Sequence, residues 1–211
     1  RINARTQGKR DPIGLVLSGG SARAFAHIGV LKYLEDNNIV PDYIISNSMG
    51  SIIGLFYAAG YSPDQIYEIC CRIPITSLFD ITVPLNSGML NVQNFLSYAA
   101  EFVPKNADIK NFDIPIMVVQ EDLRTKQKIL VTEGNFLQVL QASFALPFYF
   151  DSVEYKDHLL IDGGMANMIP LYIAYKYGNK NIVSTTFYAS KSLNLKNPIT
   201  SLNTSIDIGK R

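Results

Sequence analysis

The chain has 211 residues, 47% hydrophobic and 18% charged, with 14 Gly and 10 Pro. That length and balance exclude a disordered, low-complexity or collagen-like chain and suit one domain with a full hydrophobic core. Nineteen Lys and Arg against eighteen Asp and Glu leave a net charge of +1, too weak a field to favour nucleic acid as a partner.

Residues 1–12 are polar and basic and read as a leader or linker ahead of the first strand. IGLVL at Ile13–Leu17 is a short apolar run that stops at Ser18-Gly19-Gly20, the pattern of a buried parallel strand. Over 22–37, Phe25, Ile28, Leu31 and Leu34 recur at helical spacing until Asn37-Asn38. A second strand, loop and helix follow: Tyr43-Ile44-Ile45, then 46–50, then an apolar segment over 51–59. Ser62-Pro63-Asp64 opens a helix toward Arg72, with a hydroxyl cap, proline in the first turn and an acid beside it. Prolines 74, 84 and 104 surround an apolar segment at 95–102, which predicts a loop with one or two helical turns and suits a lid.

Strands are expected over 114–120 and 128–132, joined as a hairpin across 124–126. A helix over 135–143 comes next, then a hairpin of 153–155 and 159–161 that runs directly into Asp162-Gly163-Gly164. A short helix over 170–177 and a strand over 181–187 complete one domain, 13–190, with 191–211 as a C-terminal segment. The early alternation argues for a largely parallel sheet covered by helices. Cys70 and Cys71 are adjacent and provide no disulfide framework. The longest nearly unbroken apolar run, 52–61, falls short of the roughly 20 residues that span a bilayer.

In open α/β sheets ligands collect beyond the carboxyl ends of the strands. Three polar or glycine-rich segments fall there: 18–24, 46–50 and 162–164. Ser48, two residues before Gly50, has a partial G-x-S-x-G setting in which Ser46 replaces the first glycine. A sharp strand-to-helix turn would expose the serine oxygen near the positive end of the helix. A serine that merely caps the helix fits the same residues. Gly19-Gly20-Ser21 ends a strand and opens a helix, so its N–H groups converge as an oxyanion requires. A nucleotide-phosphate loop or a plain tight turn uses the same device. The dinucleotide reading predicts an acid about 20 positions on, where Ser46-Asn47-Ser48 stands instead, and no Gly-Lys-Ser/Thr follows the loop.

Asp162 leaves a strand ahead of two glycines, a pattern that elsewhere is often only a turn. His27 lies within the first helix and His158 within a hairpin strand. Strand alternation puts His158 on the face of Asp162 but about 13 Å away, so neither histidine makes a convincing base for Ser48. Serine activated directly by aspartate is the economical reading.

Four ordered blocks carry a family resemblance: GLVLSGGSARAFAHIGVLKYLE (14–35), SNSMGSIIGLFYAAG (46–60), ASFALPFYF (142–150) and LLIDGGMANMIPL (159–171). Together they resemble the patatin-like phospholipases across about 14–187. The resemblance implies a three-layer α/β/α sandwich with a largely parallel central sheet, and a lipid acyl hydrolase of phospholipase A type. Residue by residue, Ser48 matches the nucleophile, Asp162 the base, and Gly19, Gly20 and Ser21 the oxyanion loop. Arg23 and Met49 complete the implied oxyanion and substrate-binding set. The family loop resembles Gly-Gly-Gly-x-Arg-Gly, whereas this chain has Ser21 and Ala24 at its third and last glycines. A backbone N–H survives these substitutions, but the side chains crowd the hole or demand a φ that non-glycine residues resist.

No metal or cofactor is expected, since the sequence has neither paired histidines at ligand spacing nor an oxygen-rich calcium loop. The expected partner is a phospholipid or another acyl-ester lipid, reached by reversible docking on a membrane surface. The segment 74–104, with Leu78, Phe79, Phe95, Leu96 and Phe102, is the candidate flap, with completion of the core as its other reading. The alternative function is a degenerate domain that binds lipid or acts as a scaffold without efficient turnover.

Overall fold

The computed structural model describes residues 2–72, 80–81, 90–165 and 168–186. Leu78 and Phe79 of the candidate flap, the end of the last expected strand and the C-terminal segment lie outside the described residues. Chain order runs α1 (Ile2–Thr6), β1 (Ile13–Leu17), a 3-10 turn (Ser21–Phe25), α2 (Ala26–Asp36), β2 (Tyr43–Asn47), α3 (Gly50–Ala58) and α4 (Pro63–Arg72). A two-residue ladder of β3 (Asp80–Ile81) and β4 (Leu90–Asn91) precedes α5 (Gln93–Ala99). Then come β5 (Ile116–Asp122), β6 (Gln127–Val131), α6 (Phe136–Ser143), β7 (Val153–Tyr155), β8 (His158–Asp162), α7 (Leu171–Ala174) and β9 (Lys180–Ser184).

The apolar runs read as buried strands become a parallel core in the order β9-β1-β2-β5. Their crossovers carry helices, which parallel pairing requires. The tight connections β5–β6 and β7–β8 force antiparallel pairing, and β8 also joins β5 antiparallel, giving a seven-stranded mixed sheet.

Strand alternation divides the core between two faces. Leu15, Leu17, Ile44, Ile116 and Val118 pack with Leu31, Ile53, Phe56, Phe136 and Leu140 from α2, α3 and α6. On the other face Val16, Tyr43, Ile45, Met117 and Val119 meet Ile173 and Ala174 of α7, with Ile2 of α1 against them. Helices therefore cover both faces, and the second cover is thin.

Local signals explain two helix starts. Ser62 Oγ accepts from Gln65 N–H while Gln65 Oε1 accepts from Ser62 N–H, a reciprocal cap for α4. Asn135 caps α6 by accepting from the N–H groups of Leu137 and Gln138. The segment read as leader or linker carries α1 and is tied to the domain through Arg5, which donates to Asp113 O and Pro41 O, and through the Arg10–Asp42 ion pair. In the candidate flap, Phe95 and Leu96 are buried on α5 and Phe102 packs against the core. Those three serve the core rather than a docking surface.

Candidate active site

Register brings the candidate nucleophile and base together. Val118 and Val119 of β5 pair with β2 on one edge and β6 on the other. Gln120, Glu121 and Asp122 pair with β6 and with β8. Because a strand has two edges and β6 occupies one throughout, β2 and β8 occupy successive stretches of the same edge. One runs parallel to β5 and the other antiparallel, so their carboxyl ends meet head-on between Val119 and Gln120. Asn47 ends β2 opposite Val119, and Asp162 ends β8 opposite Gln120.

Ser48 follows Asn47 with φ 49°, a left-handed conformation that turns the chain sharply from β2 into α3. Such strain in a non-glycine residue persists only where the surroundings impose it. Ser48 Oγ donates to Asp162 Oδ2 at 2.7 Å, and Gly164 N–H donates to Asp162 Oδ1 at 2.7 Å. Both carboxylate oxygens are thereby oriented. Ser48 is 7% exposed and Asp162 1%, so both are buried and the serine is the more accessible of the two. A side chain at Gly163 would collide with Val119 O, which is why a glycine follows Asp162 at the strand crossing.

The glycine loop lies against this pair. A Cβ on Gly19 would stand 2.8 Å from Ser48 Cβ. Gly19 N–H donates to Asn47 Oδ1 at 2.8 Å and to Met168 O at 3.2 Å. Of the three N–H groups expected to face an oxyanion, that of Gly19 is thus engaged within the fold. The N–H groups of Gly20 and Ser21 have no protein acceptor among the described residues. Ser21 has φ 54°, the left-handed conformation that its lost glycine would adopt without cost. Ala24 lies buried in the 3-10 turn and is not among the positive-φ residues. The two departures from the family loop are thus physically different.

Arg23 donates from its backbone N–H and from Nε to Gly20 O, which ties the 3-10 turn to the glycine loop. Met49 sits at the N-terminal cap of α3 with helical φ, next to Ser48. Ser46 is fully buried on β2, and its hydroxyl has no partner among the described residues. Neither histidine touches Ser48 among the described contacts. His27 is buried, with Nε2 against Ser18 O at 2.8 Å and Nδ1 against Ser184 Oγ at 2.6 Å. Burial pushes its pKa down, against a smaller upward pull from Ser18 O. His158 Nδ1 pairs with Asp122 Oδ2 at 2.9 Å. Burial works against the Asp122 charge, but hydrogen bonds from Thr125, His158 and the N–H groups of Leu159 and Arg124 outweigh it and hold that carboxyl far below its usual range.

Three residues were not singled out as site residues by the sequence. Asn47 was visible only as a neighbour of Ser48, and Thr186 lies in the last strand segment with no motif around it. Phe148 has φ 76° and is 60% exposed beside the segment that meets β8.

The sheet, its helical covers and the elbow serine beyond β2 define an α/β protein whose polar site lies where strand ends converge. The patatin-like phospholipase family model matches residues 15–175, and the chain belongs to that family. It is 29% identical over 182 residues to patatin-like phospholipase domain-containing protein 6 of Mus musculus, covering 82% of this chain and 13% of that protein. Lysophospholipase NTE1 of Candida albicans is 28% identical over 180 residues, with the same coverages. A protein of Mycobacterium tuberculosis described as an uncharacterized NTE family protein is 28% identical over 170 residues, covering 79% of this chain and 47% of that one. The chain therefore spans only a fraction of the length of these relatives. The crystal structure of VipD from Legionella pneumophila shares the fold with a TM-score of 0.57 at 14% identity, over 74% of this chain and 46% of that one.

Proposed function

We propose that the chain is an acyl hydrolase for esters of phospholipids or related lipids, with Ser48 as nucleophile and Asp162 as general base. The observation that carries this reading is the 2.7 Å hydrogen bond from Ser48 Oγ to Asp162 Oδ2 at a strained elbow. On attack at the ester carbonyl, the Ser48 proton moves along that bond to Asp162. The oxygen anion that forms is received by the N–H groups of Gly20 and Ser21, near the positive end of α3. Asp162 then protonates the leaving alcohol. Water, deprotonated by the same carboxylate, releases the acyl group. An ordinary Asp, with a pKa near 3.9, is a weak base, so proton transfer and attack must be concerted. Membership in the patatin-like phospholipases and the lysophospholipase name of one relative support the lipid ester class.

A lipid-binding domain without turnover is the competing reading. It is favoured by the engagement of Gly19 N–H, which leaves two loop donors rather than three. A fluorophosphonate probe followed by intact-protein mass spectrometry separates the two. Hydrolysis requires one adduct that disappears in Ser48→Ala; binding of lipid with no adduct would support the competing reading.

A further inference from the structure

The end of β9 lies beside the glycine loop. Leu17 pairs with Ser184 in the parallel β1–β9 ladder, and Ser18 N–H donates to Ser184 O at 3.0 Å. Two residues further, Thr186 is 8% exposed and level with Gly19 and Gly20. Its backbone N–H donates to Ser18 Oγ at 3.0 Å and its hydroxyl donates to Gly19 O at 2.7 Å. Ser18 Oγ donates to the same carbonyl at 3.0 Å. A side chain on Gly20, whose φ is 143°, would collide with the Thr186 hydroxyl.

Two consecutive peptide groups are held differently. The Ser18–Gly19 peptide is engaged at both ends, by His27 Nε2 on its carbonyl and by Asn47 Oδ1 on its N–H. The Gly19–Gly20 peptide is held at its carbonyl by Thr186, while its N–H has no protein acceptor among the described residues. The described peptides are trans, so the group is planar with N–H directed opposite to C=O, and fixing one end fixes the other. A hydrogen bond donated to the carbonyl also polarises the peptide and makes its N–H a stronger donor.

We propose that Thr186 is a positioning residue for the oxyanion site: through Gly19 C=O it aims and strengthens the Gly20 N–H. The proposal rests on the reading of Gly20 N–H as an oxyanion donor. It assigns a role to the end of β9, which carries no part of the Ser48–Asp162 pair.

The test compares wild type, Thr186→Val, which keeps the shape and removes the hydroxyl, and Thr186→Ser, which keeps the hydroxyl. Thr186→Ala replaces the valine variant should that one fail to fold. Initial rates on a short soluble ester, with Ser48→Ala as blank, should show kcat about 10-fold lower in Thr186→Val, well short of complete loss of a donor. KM should stay within about twofold, and Thr186→Ser should return kcat to near the wild-type value. In 15N-labelled protein the Gly20 amide resonance should move in Thr186→Val and return in Thr186→Ser. Wild-type kcat in the hydroxyl-free variant, or an equal fall in both variants, would overturn the proposal. Absence of Ser48-dependent hydrolysis in the wild type would instead remove the hydrolase reading and the proposed oxyanion role with it. The amide shift then reports separately whether the Thr186–Gly20 coupling exists, and an unmoved Gly20 resonance in the hydroxyl-free variant overturns that coupling as well.

Discussion

Ser48 and Asp162 are 114 residues apart in the chain and 2.7 Å apart across a hydrogen bond, because β2 and β8 approach each other along one edge of β5. Neither strand alone forms the site. The pair depends on Val119 and Gln120, adjacent residues of β5 that face the ends of two different strands. A one-residue slip of β8 against β5 would turn Asp162 to the opposite face of the sheet and destroy the pair.

The first prediction tests the pair and the elbow separately. Ser48→Ala and Asp162→Asn should each lower ester turnover at least about 1,000-fold, in keeping with loss of a nucleophile or its base. Ser48→Ala retains the left-handed backbone strain, so its unfolding temperature should stay close to that of wild type. Ser48→Gly removes the strain and should be more stable than Ser48→Ala by about 1 kcal/mol. Chemical denaturation measures the difference. Equal stability of the two variants would mean that the elbow stores no strain, and wild-type turnover in Asp162→Asn would exclude the aspartate as base.

How much of this was legible in the sequence differs by element. The apolar runs of β1 and β2 end at polar or glycine residues, and their periodicity identified both strands and the helices after them. Ser48 and Asp162 could be singled out because each comes at the end of an apolar strand run, with a glycine two residues after Ser48 and directly after Asp162. Their meeting could not be read from the residues alone, since it depends on the register of β8 against β5, three residue pairs formed between distant segments. The roles of Asn47 and Thr186 were hidden for a similar reason. An amide or hydroxyl acquires its function from the peptide it reaches, and that peptide belongs to a loop remote in sequence. The burial of Phe95 and Leu96 was likewise undecided, because an apolar segment between prolines suits a flap and a core helix equally.

The second prediction separates the two departures in the glycine loop. Ser21 occupies a left-handed backbone conformation, so Ser21→Gly should stabilise the protein by about 1 kcal/mol. Ala24 is buried in a helical turn, so Ala24→Gly removes a packed methyl and adds backbone freedom, a loss of about 1 kcal/mol. Ser46→Ala should stabilise by about 1 kcal/mol, because it replaces a buried hydroxyl that has no partner among the described residues. Three denaturation curves decide these signs. A stabilising Ala24→Gly or a destabilising Ser21→Gly would contradict the backbone account.

The third prediction concerns pH. The His27 pKa is depressed in the fold by burial, so below about pH 6.5 the unfolded chain binds a proton that the folded chain resists. Stability from this group is therefore fully present above that pH and declines as pH falls toward the depressed folded value. Unfolding temperatures measured from pH 7.5 to 5 should fall toward the acid end. His27→Gln, which cannot take up the proton, should flatten the slope in that window even if its stability is lower throughout. An unchanged slope would assign the pH dependence to another group.

The fourth prediction concerns Phe148. It stands at φ 76°, where a bulky L-residue loses about 1–2 kcal/mol, and at 60% exposure its ring recovers little of that by burial. The segment around it is anchored: Phe144 is buried and stacks edge-on against Phe150, and Ala145 O accepts from Asp162 N–H. This exposed aromatic, on a strained turn next to the strand that carries the candidate base, is the expected lipid contact of the proposed hydrolase. Phe148→Gly should raise stability by about 1 kcal/mol by relieving the backbone, and should lower binding to phosphatidylcholine vesicles and hydrolysis of vesicle lipid severalfold. Phe148→Ser retains the backbone strain and removes the ring, so it should match the glycine variant on vesicles without gaining its stability. A short soluble ester should be cleaved at the wild-type rate by both. Equal losses on vesicle and soluble substrate would mean that Phe148 shapes the site itself, and unchanged vesicle binding in both variants would remove it from the lipid contact.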